Sequence, residues 1–176
     1  RPESPFLKAS RINKQNWDKW LDAVAADESR GLAPEAVIKA IGKHSAEKAV
    51  YGLDVGNNTL QSIRSLPLSA KRRHVVSGWF AALGVALPFA AAAKLQDPEG
   101  QAWSISGDGG LAMNMQEILT QVRYDLPIIN VLMDNRSYGF IQHAQILSNI
   151  DYGVDLPETD WAMAARGMGA VSYRAD

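Results

Sequence analysis

The sequence has no cysteine among its 176 residues, which excludes a disulfide framework and a thiolate metal site. It also has no excess of either charge, because 18 basic and 19 acidic residues give a formal net charge of −1. A nucleic-acid-binding face or a polybasic membrane patch would require a basic excess. We therefore expect neither nucleic acid nor a membrane surface among the partners of this protein.

Long hydrophobic runs are missing as well. The longest apolar stretch, residues 79–93, contains Gly84 and Pro88 and is too short for a membrane-spanning helix. The first ten residues lack the apolar centre of a signal peptide. Hydrophobic residues still make up 47% of the chain, which is enough to bury a core. We expect a soluble, cytoplasmic protein and, because the first residue is Arg1, a piece of a longer polypeptide.

Strand-like and helix-like patterns alternate along the chain. Strands are predicted at residues 49–55, 74–77, 102–106, 128–133 and 170–173. Helices are predicted around residues 17–24, 34–41, 79–95, 113–124 and 160–166, the third of them with a new start at Pro88. The central strands are apolar on both faces. This pattern predicts an α/β fold, a three-layer parallel sheet with helices on both faces.

The most informative segment is the Gly-Asp-Gly-Gly sequence at residues 107–110, directly after a predicted strand. Ligands of such sheets bind at the carboxyl ends of the strands, and these glycines let the backbone approach an anion. A helix expected to start near Ala112 would favour negative charge there. Asp108 would nevertheless repel a phosphate unless a cation lay between them, and Mg²⁺ accepts both protein and phosphate oxygens.

A second oxygen ligand should come from another strand end. Asn135 follows the predicted strand at residues 128–133 and offers a neutral amide oxygen. The alternative is a tight turn whose aspartate is simply solvated. Because two adjacent strand ends carry suitable groups, we favour the hypothesis of a magnesium-bridged phosphate site at Asp108 and Asn135.

The stretch GDGGLAMNMQEILTQVRYDLPIINVLMDNRSYGFIQ resembles the thiamine diphosphate motif, which opens with GDG and closes with an asparagine just under thirty residues later. Within that family it is most similar to pyruvate oxidases, and the likeness continues upstream through LDVGNN and RHVVSGWFAALGVALPFAAAAKL. The resemblance implies a thiamine-diphosphate-binding fold for residues 32–176, truncated at its C-terminal edge. Residues 1–31 would be an interdomain linker with a short helix.

The resemblance also implies roles for individual residues. The metal ligands would be Asp108, Asn135 and the backbone carbonyl of Ser137. Leu83 would prop the cofactor into its bent shape, although an ordinary core leucine is a close alternative. Phe140 would face the substrate pocket or, equally well, be a packed core aromatic. The implied cofactor-binding set is Val55, Gly56, Gly78, Leu83, Gly107, Asp108, Gly109, Gly110, Asn135, Gly139, Phe140 and Ile141.

Three positions depart from the family pattern, and one of them is Leu83, which replaces the methionine common in close relatives but can prop the cofactor in the same way. Asp134 stands where many relatives have asparagine, which adds a carboxylate close to the expected metal. Ala144 stands where some pyruvate oxidases have a glutamate in the pocket, which puts that detail of substrate handling in doubt.

The function implied is that of a flavoprotein oxidoreductase. Pyruvate, or another 2-oxo acid, would be decarboxylated with phosphate and oxygen to acetyl phosphate, CO2 and hydrogen peroxide. The cofactors would be thiamine diphosphate, Mg²⁺ and, in the full-length enzyme, FAD. The enzyme would be a homo-oligomer in which the pyrimidine-binding domain of a partner subunit supplies an activating glutamate.

No segment of this chain matches that pyrimidine-binding domain or a flavin site. The catalytic residues are therefore expected outside it, and the chain alone is expected to be inactive. An acetolactate-synthase-like carboligase, or another thiamine-diphosphate-dependent 2-oxo acid decarboxylase, is the alternative reaction. A non-catalytic module that keeps the fold without the cofactor is a third possibility, which the intact motif disfavours.

Overall fold

The computed structural model of the protein describes residues 4–29, 31–67 and 69–175. Its centre is a four-stranded parallel sheet with the strand order β2-β1-β3-β4. The strands are β1 Val50–Leu53, β2 Arg73–Val76, β3 Ala102–Gly107 and β4 Ile128–Met133. The predicted α/β class with a parallel sheet is confirmed.

Eight helices are found in the described residues. They are α1 Pro5–Ala25, α2 Pro34–His44, α3 Asn57–Ser65, α4 Ala86–Gln96, α5 Asp108–Asn114, α6 Glu117–Arg123, α7 Gly139–Leu147 and α8 Trp161–Gly167. Proline occupies the start of both α1 and α2, where its missing N–H has no intrahelical partner to lose. The Oγ of Ser4 caps α1 by accepting a hydrogen bond from the backbone N–H of Leu7 at 3.2 Å.

The alternation of side chains along β1 separates the two faces of the sheet. Tyr51 and Leu53 are fully buried and pack with Ile38 and Ile41 of α2 on one face. Gly52 points to the other face, where a Cβ would lie 2.5 Å from the backbone oxygen of Ala86 in α4. Because β1 is covered on both sides, its run of apolar residues matches the pattern of a buried parallel strand.

Several predicted elements differ in the structure. The Gly-Asn-Asn sequence after β1 opens helix α3 and is not a free turn, since the N–H of Gly56 donates to the Oγ1 of Thr59 at 3.0 Å. The helix predicted at residues 113–124 is two short helices, and the first begins at Asp108 instead of Ala112. Residues 79–85 are not helical, so α4 starts only at Ala86.

The predictions at both ends of the chain also need correction. The first helix has 21 residues, far longer than the short helix expected. Residues 170–173 form no strand, because the Oγ of Ser172 donates to the backbone oxygen of Ala162 and holds this segment against α8. The sheet order therefore leaves β4 as an edge, and Ile129 on this strand is exposed, contrary to the expectation of a buried strand.

Helix α7 was not predicted. Residues 1–3, Arg30, Leu68 and Asp176 lie outside the described part. The predicted division of the chain into a linker and a domain at residue 31 stays a prediction. Within the described residues, no helix has the length and apolar composition needed to cross a bilayer.

Candidate functional site

A cavity of about 930 Å³ opens where β1, β3 and β4 end. This is the position that the topology of a parallel sheet favours for a ligand. Nearly all the predicted site residues line it: Val55, Gly56, Leu83, Gly107, Asp108, Gly109, Gly110, Asn135, Ser137, Gly139, Phe140 and Ile141. Gly78 is exposed and is not among the lining residues, so its role stays a prediction without structural support.

Asp108 is the buried acidic group of this cavity, with only 2% of its surface exposed. One carboxylate oxygen, Oδ1, accepts a hydrogen bond from the N–H of Gly109 at 3.0 Å. The other oxygen, Oδ2, is buried and has no hydrogen-bond partner. Burial raises the pKa of Asp108 above its usual range, and the neighbouring carboxyl of Asp134 raises it further. A buried carboxylate oxygen without a donor, next to a second carboxylate, needs either a proton or a cation.

The second half of the candidate metal site is the loop at residues 134–138. The Oδ1 of Asn135 accepts a hydrogen bond from the N–H of Ser137 at 3.3 Å, and this oxygen has a further lone pair. The Oγ of Ser137 is another buried atom without a partner. Among the described residues, no three His, Cys, Asp or Glu side chains form a metal-binding group. The candidate set is different, because it consists of a carboxylate, an amide and a backbone carbonyl, which suits a hard cation such as Mg²⁺.

An adjoining segment holds this loop in shape. The N–H of Leu156 donates to the carbonyl of Arg136 at 2.8 Å, and the N–H of Tyr138 donates to the carbonyl of Val154 at 2.9 Å. Arg136 has a φ of 54°, a left-handed conformation that is uncommon for a residue other than glycine. Because backbone hydrogen bonds on either side of Ser137 fix this turn, the Ser137 carbonyl is positioned independently of any ligand.

Close contacts at three glycines join the loops around the cavity. A Cβ at Gly109 would lie 2.3 Å from the Cε1 of Tyr138, and a Cβ at Gly110 would lie 2.1 Å from the Oδ2 of Asp54. A Cβ at Gly139 would lie 2.3 Å from the Nδ2 of Asn57. The resemblance placed these glycines in the cofactor-binding set, and the structure adds that each allows two segments of the chain to approach closely.

Two polar side chains that the sequence reasoning did not single out tie the strand ends together. The Nδ2 of Asn58 donates to the carbonyls of both Asp54 and Ile105, each at 3.1 Å. The carboxylate of Asp54, which is fully buried, accepts hydrogen bonds from the N–H groups of Val55 and Gly84. Burial raises the pKa of Asp54, although these backbone N–H groups lower it. The only sequence signal for them was their position directly after a predicted strand.

Leu83 is half-buried and lines the cavity. His74 and His143 are not among the lining residues, and His74 instead stacks on Tyr51 with ring centroids 5.0 Å apart.

Fold and cavity together define an α/β cofactor-binding domain whose ligand site combines glycine turns with a buried carboxylate. Comparison with known proteins gives the family. Residues 54–176 match the family described as thiamine pyrophosphate enzyme, C-terminal TPP binding domain. The chain therefore belongs to the thiamine pyrophosphate enzymes and contains the cofactor-binding domain that lies at their C-terminal end.

Individual relatives are similar over most of the chain. A pyruvate oxidase from Lactiplantibacillus plantarum is 36% identical over 178 residues, covering 100% of this chain and 30% of that protein. An acetolactate synthase large subunit from Buchnera aphidicola subsp. Schlechtendalia chinensis is 32% identical over 139 residues, covering 79% of this chain and 24% of that protein. The chain thus spans less than a third of the length of these curated relatives.

A solved structure shares the fold. The thiamine diphosphate-dependent 4-hydroxybenzoylformate decarboxylase from Rhodococcus jostii RHA1 matches with a TM-score of 0.76 at 22% sequence identity. The match covers 83% of this chain and 28% of that chain. At this identity the likeness shows the fold alone, and it confirms the predicted thiamine-diphosphate-binding fold.

Proposed function

We propose that this domain holds the diphosphate of thiamine diphosphate through a magnesium ion bound by the side chains of Asp108 and Asn135 and the backbone carbonyl of Ser137. The observation that carries the proposal is the buried Oδ2 of Asp108, which has no hydrogen-bond partner and belongs to a side chain lining the cavity. Leaving such a group without a partner costs about 1–3 kcal/mol or more. A divalent cation shared with phosphate oxygens removes that cost.

The charges around the cavity support a cation between protein and phosphate. Asp108 and Asp134 would each repel a diphosphate, yet both line the cavity that the cofactor would occupy. Mg²⁺ resolves this conflict, because it binds one or two protein carboxylates together with phosphate oxygens and water. The extra carboxylate of Asp134 would strengthen the negative field at the metal.

This domain would orient the cofactor, and another domain would activate it. Thiamine diphosphate, when bound, supplies the electron sink needed to decarboxylate a 2-oxo acid. The Asp108 and Asn135 side chains would fix the diphosphate end, and Leu83, in the wall of the cavity, would prop the cofactor into its bent shape. Phe140, at the start of α7, would face the part of the cavity that receives the substrate, and Ile141 would lie beside the diphosphate.

We infer that the full-length protein is a pyruvate oxidase-type oxidoreductase. It would decarboxylate pyruvate with phosphate and oxygen to acetyl phosphate, CO2 and hydrogen peroxide, using FAD bound outside this chain. The supporting observation is the likeness to a pyruvate oxidase, which extends over the whole chain. The activating glutamate would come from the pyrimidine-binding domain of a partner subunit in a homo-oligomer.

The alternative is an acetolactate-synthase-like carboligase, which the likeness to an acetolactate synthase large subunit supports over a smaller share of the chain. Purified full-length protein supplied with pyruvate, phosphate, Mg²⁺ and thiamine diphosphate would separate the two. We expect hydrogen peroxide and acetyl phosphate in equal amounts, with a bound flavin visible in the absorption spectrum. Acetolactate without peroxide would instead establish the carboligase.

The metal site has its own test. Asp108→Asn keeps the size of the side chain and removes the charge, so we expect thiamine diphosphate binding in the presence of Mg²⁺ to weaken by at least about tenfold, the equivalent of about 1.4 kcal/mol. Asp97→Asn is the matched control, because Asp97 accepts a hydrogen bond in an exposed turn away from the cavity. Titration calorimetry on the full-length protein measures both. Equal affinities in the two variants would contradict the proposed metal site.

A further inference from the structure

We propose that Asp54 and Asn114 form a clamp on the backbone of Gly84, and that this clamp holds Leu83 at the wall of the cavity. They are positioning residues, since their contacts are with protein groups and not with the reacting atoms. The inference rests on the proposed function only for the role of Leu83 beside the cofactor. The clamp itself is defined by hydrogen bonds within the protein.

The first half of the clamp is the carboxylate of Asp54, at the carboxyl end of β1. Both of its oxygens lie within hydrogen-bond distance of the N–H of Gly84, at 2.9 and 3.1 Å. The side chain has 0% exposure. A buried carboxyl group in such a position keeps its place, because moving it would leave its oxygens buried without hydrogen-bond partners. The N–H of Gly84 is therefore anchored to the centre of the sheet.

The second half of the clamp is the side chain of Asn114, the last residue of α5. Its Nδ2 donates to the carbonyl of Gly84 at 2.9 Å. Both backbone polar groups of Gly84 are thus used, one by Asp54 and one by Asn114. Gly84 has a φ of +82°, and a Cβ there would lie 2.9 Å from the Nδ2 of Asn114. Only glycine fits this position without strain or displacement.

The clamp connects the loop that carries Leu83 to the proposed metal site. Helix α5 begins with Asp108 and ends with Asn114, so one seven-residue helix contacts both. Gly110 in the same helix packs directly on the carboxylate of Asp54. The loop that carries Leu83 and the Gly-Asp-Gly-Gly segment are therefore held by the same two side chains. These side chains fix the position of Leu83 relative to Asp108.

The rest of this loop has little else to hold it. Trp79 and Phe80 are 88% and 84% exposed, and they pack edge to face on one another. Ala81 has a φ of 50°, which is unfavourable for alanine. A further tie is the hydrogen bond from the N–H of Ala82 to the Oγ of Ser77, at 3.3 Å. Without the clamp, Leu83 would directly follow an exposed segment that makes few contacts with the rest of the domain.

The first test is Asn114→Ala in the full-length protein, measured by amide hydrogen exchange without cofactor or metal. We expect exchange at Gly84 and Val85 to become at least about tenfold faster, because loosening the loop exposes these amides. Gln101→Ala is the matched control: its amide side chain accepts from the N–H of Ala46 at the other end of β3. Unchanged exchange at Gly84 in Asn114→Ala, or the same increase in the control, would overturn the clamp.

A second measurement asks whether the clamp serves the cofactor. With thiamine diphosphate and Mg²⁺ bound, we expect Asn114→Ala to slow the exchange of the C2 proton of the cofactor, followed by ¹H NMR, by at least about tenfold, a change equivalent to about 1.4 kcal/mol. Thermal unfolding should shift no more than in Gln101→Ala. A C2 exchange rate equal to that of the wild type would show that the clamp does not position Leu83 for the cofactor.

Asp54 variants add a graded series. Asp54→Asn keeps an acceptor for the N–H of Gly84, so amide exchange at Gly84 should rise less than in Asp54→Ala. The reverse order would contradict the inference, and if Asp54→Ala does not fold, Asn114→Ala decides. A wild-type protein that fails to bind thiamine diphosphate with Mg²⁺ would refute the proposed function. The exchange experiment without cofactor would still test the clamp.

Discussion

Gly110→Ala tests the packing at the centre of the site most severely. The added Cβ would lie 2.1 Å from the Oδ2 of Asp54 and 2.7 Å from its Cγ, well inside any real contact distance. The carboxylate cannot move away freely, because it is buried and accepts hydrogen bonds from the N–H groups of Val55 and Gly84. Either helix α5 shifts or the carboxylate loses hydrogen bonds.

The expected cost follows from these two outcomes. Forcing one methyl group into a packed interior costs about 1–3 kcal/mol. Losing a hydrogen bond to a charged group costs about 1.5–3 kcal/mol. A single movement relieves both the steric overlap and the lost hydrogen bond, so the two costs do not add in full. We expect the free energy of the local opening that exposes these amides to fall by roughly 2–4 kcal/mol. That corresponds to exchange roughly 30- to 700-fold faster for amides that exchange through this opening.

Native-state hydrogen exchange of the full-length protein is the assay, with the amide of Asp54 as the reporter. This amide bonds to the carbonyl of Ile105 at 2.9 Å and connects β1 to β3. Gly167→Ala is the control, since a Cβ there has nothing within 4 Å. The control should be neutral or stabilising by up to about 1 kcal/mol. If the Asp54 amide exchanges no faster in Gly110→Ala than in Gly167→Ala, the described contact between α5 and Asp54 is wrong.

Two further predictions concern pH and the chain alone. Burial, and secondarily Arg72, lowers the pKa of His74 below 6.5, so below that pH the unfolded chain takes up a proton that the folded one does not. The free energy of unfolding should therefore fall as the pH drops through about 6.5, and His74→Gln should flatten this slope. A slope unaltered by His74→Gln would refute this. For the chain of 176 residues by itself, we expect no pyruvate turnover, and measurable turnover would mean that the activating acid lies within it.

The parts of the fold that the sequence predicted are those that local patterns encode. The segments at residues 102–106 and 128–133 are bounded by turn residues, and both are strands in the structure, the first of them one residue longer than predicted. Their parallel pairing brings Asp108 and Asn135 to one cavity. Helix α3 was not predicted because the sequence Gly-Asn-Asn favours a tight turn. In the structure, the backbone N–H and the Oγ1 of Thr59 form hydrogen bonds with the backbone of Gly56, and a helix begins there.

The parts that could not be predicted depend on contacts between distant residues. Gly84 is 30 positions from both Asp54 and Asn114, and nothing in the local sequence indicates that these three meet. The same is true of Asn58 and Ile105, 47 positions apart. The strand-end positions and the family resemblance supplied the candidate ligand residues, but only the structure revealed the side chains that hold these segments in place.

The proposed metal site requires one divalent cation to join Asp108, Asn135 and Ser137 to a diphosphate. Its most direct test is a crystal structure of the full-length protein with thiamine diphosphate and Mn²⁺ in place of Mg²⁺, using the anomalous signal to locate the metal. We predict one Mn²⁺ peak in contact with the Oδ2 of Asp108, the amide oxygen of Asn135, the carbonyl of Ser137 and the diphosphate oxygens. A cofactor bound with no metal beside Asp108, or a peak elsewhere in the chain, would contradict the account.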